Sequence, residues 1–188
     1  PLEFGLHSLW DACRALRERK TRRVDLGRIV ESGEPVGHFL GQANVGLGAY
    51  VNAYVADLAG KKRWLARRQT LAGIFGIRNA YRSKALPWKL SVTTDGGRRD
   101  GEFSIAVFSN VRFWAAGKMI NPAAQPDDGA LDACLIERAS FLRLAWINSQ
   151  AAKGRHGRSS GVSFERAPGF TVASEASFAV QADGEIVR

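Results

Sequence analysis

The segment "LPWKLSVTTDGGRRDGEFSIAVFSN", residues 86–110, decides how the chain is read. Trp88, Leu90 and Val92 alternate with Lys89, Ser91 and Thr93, which is the two-residue period of a half-buried strand. Asp95-Gly96-Gly97 then supplies a turn, because glycine accepts positive φ and aspartate bonds its own backbone. A second strand follows. Outward from this hairpin, "LDACLIE" (131–137), "VSFER" (162–166), "FTVAS" (170–174), "SFAVQ" (177–181) and "EIVR" (185–188) are further short β candidates, punctuated by Gly, Pro, Ser or Asp. Upstream, "RRVDLGRIV" (22–30) and "GHFLGQANVG" (37–46) read as a hairpin separated by "GEPV" (33–36).

Helical spacing interrupts this pattern in four places. "HSLWDACRALRERK" (7–20) sets Leu9, Trp10, Cys13, Leu16 and Arg17 on one face. "LGAYVNAYVADL" (47–58) repeats apolar residues at three and four, with Gly60 as a C-cap, and the basic segment 61–84 carries a further helix. "SFLRLAWINSQAAK" (140–153) starts at Ser140 as N-cap. The expected fold is therefore mainly β, an antiparallel β-sandwich or open barrel of seven or more strands carrying a few surface α-helices. With 188 residues, one folded unit spanning 1–188 is expected.

Cys13 and Cys134 are the only cysteines, so neither a disulfide framework nor a cysteine-rich zinc site is available, and a reducing setting is expected. His7, His38 and His156 have no metal-ligand spacing, and His156, in "KGRHGR" with Lys153, Arg155 and Arg158, reads as part of a solvated turn. No stretch approaches the length of a membrane-spanning helix. A serine-hydrolase reading lacks its G-x-S-x-G elbow.

The formal charge of +9 is local. Between Asp57 and Asp95 there is no acidic residue but nine basic ones, and the remainder carries eighteen of each sign. Lys61, Lys62, Arg63, Trp64, Arg67 and Arg68 would suit an anionic membrane surface; the alternative is a helix whose apolar stripe packs on the sandwich and whose basic face is solvated. Nucleic acid is set aside, because no reader motif accompanies the charge.

Two acidic turns remain. In "QPDDGALD" (125–132) three carboxylates, Asp127, Asp128 and Asp132, crowd within six residues and need a cation or a basic group; two turn aspartates beside a solvated strand-end aspartate are the plain alternative. "QADGE" (181–185) has the form of a hairpin turn.

The order "FLGQANVGLGAYV", "FSNVRFWAAGKMINPAAQPDDGALD", "KGRHGRSSGVSFERAPGFTV", "VQADGE" resembles the C-terminal domain of the diacylglycerol kinase-like lipid kinases, a bacterial family similar to sphingosine and ceramide kinases. The resemblance runs from about Arg22 to Glu185. It implies a two-domain enzyme in which an N-terminal α/β domain with a GGDGT loop binds ATP and a C-terminal β-sandwich supplies the lipid site. No GGDGT occurs here, so that nucleotide-binding half is expected to be absent from this chain, which would be cut at both ends and inactive alone. "PLEFGLH" keeps only the first two residues of a family segment that continues with Gly-Thr and Asn-Asp, and alanines stand after Asn110 where relatives favour glycines.

By the same resemblance, Glu185 is the general base toward the hydroxyl of diacylglycerol or a related lipid, and Asp183 supplies a neighbouring like charge. A structural Mg²⁺ would sit at Asp128 with the main-chain carbonyls of Gln125 and Ala130, Asp132 contributing through water, and a catalytic Mg²⁺ would accompany ATP. The implied partners are a lipid, the N-terminal kinase domain and an anionic membrane, with a cytoplasmic, peripherally membrane-associated location. The rival is a non-catalytic basic β-sandwich that docks on membranes or a protein.

Overall fold

The computed structural model describes residues 2–61, 69–83, 88–114 and 117–187. Of the basic segment expected at a membrane surface, Lys62, Arg63, Trp64, Arg67 and Arg68 lie outside the described residues, and only the backbone of Lys61 is described, at a helix end. The elements are α1 (Leu9–Arg17), β1 (Gly27–Glu31), β2 (Glu34–Phe39), β3 (Gln42–Gly46), α2 (Leu47–Lys61), α3 (Gln69–Arg82), β4 (Trp88–Thr94), β5 (Gly97–Ser109), β6 (Phe113–Trp114), β7 (Lys118–Met119), β8 (Leu131–Glu137), α4 (Phe141–Ala151), β9 (Val162–Ala167), β10 (Thr171–Ala173), β11 (Val180–Ala182) and β12 (Glu185–Val187).

Strand β5 organises the molecule. Its first half pairs with β4, and its second half lies between β3 and β8, all antiparallel. The eight-stranded sheet so formed runs β10-β4-β5-β3-β11-β12, with β8 and β9 branching from the other edge of β5. A register shift between Phe103 and Ile105 in the β5–β8 ladder marks where the strand passes from one set of neighbours to the other. This is the antiparallel, mainly β architecture expected from the 86–110 hairpin.

Both faces of this sheet are buried, and the two-residue period sorts them. Ile105, Val107, Cys134 and Ile136 pack under the helices with Leu47, Ala80, Leu144 and Ile147. Their neighbours Ala106, Phe108, Ala133 and Leu135 point the other way, into a second cluster with Val45, Leu90 and Val92. Helices α2, α3 and α4 thus cover one face of the sheet. Helix α4 begins as expected, with the Ser140 hydroxyl accepting from the Arg143 amide.

Several local readings change. The first hairpin turns at Ser32-Gly33, both at positive φ (52° and 91°), so Glu34, Pro35 and Val36 of "GEPV" belong to β2 and only Gly33 to the turn. Chain 37–46 is not one strand: it breaks at Leu40-Gly41, and β3 joins the main sheet while β2 stays with β1. Gly60 lies inside α2 and caps nothing. His156 is fully buried, with its Nε2 2.8 Å from the Ile120 carbonyl and its ring edge-on to Phe164, so it is a core residue and not part of a solvated turn. Burial lowers its pKa.

Candidate active-site edge

The two acidic turns are separate turns tied to one buried amide. Asp183 and Gly184 form the two-residue turn joining β11 to β12, at φ 46° and 102°, with Ala182 opposite Glu185. The Asp183 carboxylate accepts from the amides of Leu40 (2.6 Å), Gly41 (3.0 Å) and Gln42 (2.9 Å). Gly41 leaves room for this carboxylate: a Cβ there would lie 2.9 Å from Asp183 Oδ1 and would displace it. Asp183 therefore pins the β11–β12 hairpin onto the β2–β3 junction. Three N–H groups fix the position of this carboxylate, two residues before Glu185.

Asn110 carries the connection onward. Its amide donates to the Gly41 carbonyl at 2.9 Å, and its side chain donates to the carbonyls of Asp25 (2.7 Å) and Leu40 (3.3 Å). Asp25 in turn holds the second acidic turn: its carboxylate accepts from the Gly129 amide at 2.7 Å and its own amide donates to Pro126 at 2.7 Å. Neither Asn110 nor Asp25 stands out in the sequence, because each acts on residues more than 60 positions distant.

In the 125–132 turn the carboxylates meet arginines. Asp127 accepts from Arg22 at 2.9 Å; Asp128 accepts from Arg166 through Oδ2 and from the Ala130 amide through Oδ1 at 3.1 Å. Asp132 is buried, and its Oδ2 has no hydrogen-bond partner among the described residues. Burial raises its pKa, with Arg166 opposing and Asp128 reinforcing the shift. Among the described residues no group of three His, Cys, Asp or Glu side chains converges as a metal cage. The donors present, one carboxylate at Asp128, the carbonyls of Gln125 and Ala130 and the orphan Asp132 oxygen, are hard oxygens of the kind that fit Mg²⁺, with Arg166 as the competitor for Asp128.

Glu185 is exposed and has no hydrogen bond or ion pair among the described residues. Its direction follows from register. On β12 residues 185 and 187 share a face, and the cross-strand partners Ala182 and Val180 continue that face into Ala43 and Val45 on β3. Val45, Val180 and Val187 line a groove of about 1490 Å³ between the β1–β2 hairpin and residues 168–178, with Phe39, Phe108 and Phe178 among its apolar walls. Asp25, Gly129 and Ala130 form part of its rim. Glu185 is thus an exposed carboxylate on the face that continues into the groove-lining Val187 and Val180, and Gly129, Ala130 and Leu131 of the 125–132 turn line that groove.

Residues 43–188 match the family model described as the YegS C-terminal NAD kinase beta sandwich-like domain. The chain belongs to this family. Among curated members and relatives, it is 26% identical over 171 residues to "Putative lipid kinase YtlR" of Bacillus subtilis, covering 89% of this chain and 55% of that protein. It is 29% identical over 174 residues to a Mycobacterium tuberculosis protein named diacylglycerol kinase, covering 88% of this chain and 54% of the relative. A crystal structure of "a putative diacylglycerol kinase" from Bacillus anthracis superposes with a TM-score of 0.62 at 19% identity, over 93% of this chain and 54% of that one, which is a likeness of fold. The chain spans about half the length of these lipid-kinase relatives.

Proposed function

We propose that this chain is the lipid-holding, base-bearing part of an ATP-dependent lipid kinase, and that the groove beside β12 takes the acyl portion of diacylglycerol or a related lipid. The observation that carries the reading is the shared face of Val180, Val187 and Glu185, in which the two valines line the apolar groove and Glu185, two residues before Val187, is an exposed carboxylate on the same face. An amphipathic lipid needs that sequence of surfaces: apolar walls for its chains and a polar end for the hydroxyl that reacts. The family match and the names of the relatives support it.

In this reading Glu185 removes the proton from the lipid hydroxyl as it attacks the γ-phosphate of ATP, and Asp183 is a positioning residue that fixes the hairpin carrying Glu185. ATP, with the Mg²⁺ that accompanies it, is held by a nucleotide-binding half like the one the longer relatives have room for. Asp128, with the carbonyls of Gln125 and Ala130, would hold a Mg²⁺ that offsets the charge of Asp132, and Arg166 would compete with it for Asp128.

The test supplies an ATP-binding half and compares Glu185 with Glu185→Gln. Phosphoryl transfer to diacylglycerol is expected to fall about 100- to 10,000-fold, the range for a lost general base, with circular dichroism and melting unchanged. A variant as active as the parent would refute the assignment of Glu185.

A further inference from the structure

The break between β2 and β3 at Leu40-Gly41 is held from both sides. Asp183 accepts from the N–H groups of Leu40, Gly41 and Gln42. Asn110 donates to the carbonyls of the first two of these residues, from its main-chain N–H to Gly41 at 2.9 Å and from Nδ2 to Leu40 at 3.3 Å. The same Nδ2 donates to the Asp25 carbonyl at 2.7 Å, so its two hydrogens serve two carbonyls from different parts of the chain. Asn110 is 1% exposed and directly follows β5, the strand on which the sheet is built. An asparagine offers two donors on one atom at this length, whereas serine offers one and an ionised aspartate none.

Two runs of contacts meet at this amide. On one side Asp25 accepts from the Gly129 amide, and Gly129 lies between Asp128, which Arg166 holds, and Ala130, whose amide donates to Asp128. On the other side the two-residue turn Asp183-Gly184 leaves no slack before Glu185, which is the register partner of Ala182. Every link from Gly129 to Asp183 is a hydrogen bond to main chain, and a buried donor that loses its acceptor is costly, so a displacement is passed on rather than absorbed. Arg166 stands on β9 and Glu185 on β12, at the two ends of the run β9-β8-β5-β3-β11-β12, and no hydrogen bond or ion pair joins the 125–132 turn to residues 183–185 among the described residues. We propose that Asn110 is a positioning residue for Glu185, through which the state of the 125–132 turn sets where that carboxylate lies. The proposal rests on the reading of Glu185 as the base, and it makes the counter-charge at Asp128 a regulator of phosphoryl transfer.

Amide resonances of the isotope-labelled chain read this coupling without any activity. Arg166→Gln, which frees Asp128, is expected to shift the Gly184 and Glu185 amides, and Asn110→Ser is expected to abolish that response. Asp25→Ala cuts the same path at Gly129 while leaving Asn110 in place; it is expected to abolish the response too, and it decides the question where Asn110→Ser does not fold. With an ATP-binding half supplied, Asn110→Ser is expected to lower kcat about 100-fold, the cost of about 1 Å of misplacement, with the KM for ATP unchanged. Asn110→Asp keeps the shape and loses both donors, so it is expected to be worse than Asn110→Ser, the reverse of the order that space-filling alone would give. Gly184 and Glu185 amides that ignore Arg166→Gln, a response that survives Asn110→Ser or Asp25→Ala and so travels through the strand ladder, or an unchanged kcat in Asn110→Ser would overturn the proposal. A fully active Glu185→Gln with the amide response intact would instead refute Glu185 as the base and uphold the coupling.

Discussion

The turns at 127–132 and 183–185 both set aspartate against glycine beside an antiparallel strand, yet the fold neutralises them by different means. Asp183 is satisfied by three main-chain amides, a fixed arrangement that ordinary side-chain motion does not undo. Asp127 and Asp128 are satisfied by Arg22 and Arg166, whose side chains are 50% and 43% exposed and free to exchange with water or an ion. The first arrangement is suited to holding one geometry, with Glu185 left unpaired at its edge. The second is suited to exchanging its counter-charge. Asn110 ties the two to the same strand end, so neither shifts without loading the other.

Four perturbations sharpen or break this contrast, beyond the loss of transfer expected for Glu185→Gln. Asp183→Ala strands three amides and is expected to lower stability by about 1–3 kcal/mol, read by urea denaturation, while Asp183→Asn recovers only part of it. If Asp183→Ala were neutral, the pinned-hairpin account would fail. Arg166→Gln is expected to cost about 1 kcal/mol or less, since the pair is only half-buried, and to make the melting temperature rise more steeply with added Mg²⁺ because Asp128 is released. A Mg²⁺ response identical to that of the parent would remove the competition.

Acid titration needs a control that lies in neither turn, and His156 provides it. Its folded-state pKa is lowered by burial, so the unfolded chain binds the extra proton, and stability present above the unfolded value of about 6.5 is lost as pH falls below it. His156→Gln is expected to flatten that limb, leaving any remaining acid sensitivity to the carboxylates. The smallest effect belongs to Arg22→Gln, within about 0.5 kcal/mol, because Arg22 and Asp127 are both well exposed.

The parts of this molecule that repeat locally were legible in the sequence. Alternation in 86–110 and the short β candidate "LDACLIE" located β4, β5 and β8, and Ser140 marked the start of α4. The acidic turns were legible as turns and Glu185 was singled out through resemblance, while the amides that hold Asp183 were hidden because they lie more than 140 residues away. The same distance effect hid Asn110, Asp25 and the arginines that meet Asp127 and Asp128. Periodicity identified the amphipathic face of α1 but carries no information on whether that face turns in or out. His156 sat in a glycine-rich basic stretch that reads as loop, and its side chain passes beneath that loop into the core.

Photo-crosslinking with a diacylglycerol carrying a diazirine in its acyl chain tests the lipid groove most directly. Adducts are expected on the walls around Phe39, Phe178 and Val187, and they are expected to disappear on competition with unlabelled diacylglycerol. Adducts confined to the helix-covered face of the sheet, with the β12 groove unlabelled, would contradict the placement of lipid beside Glu185.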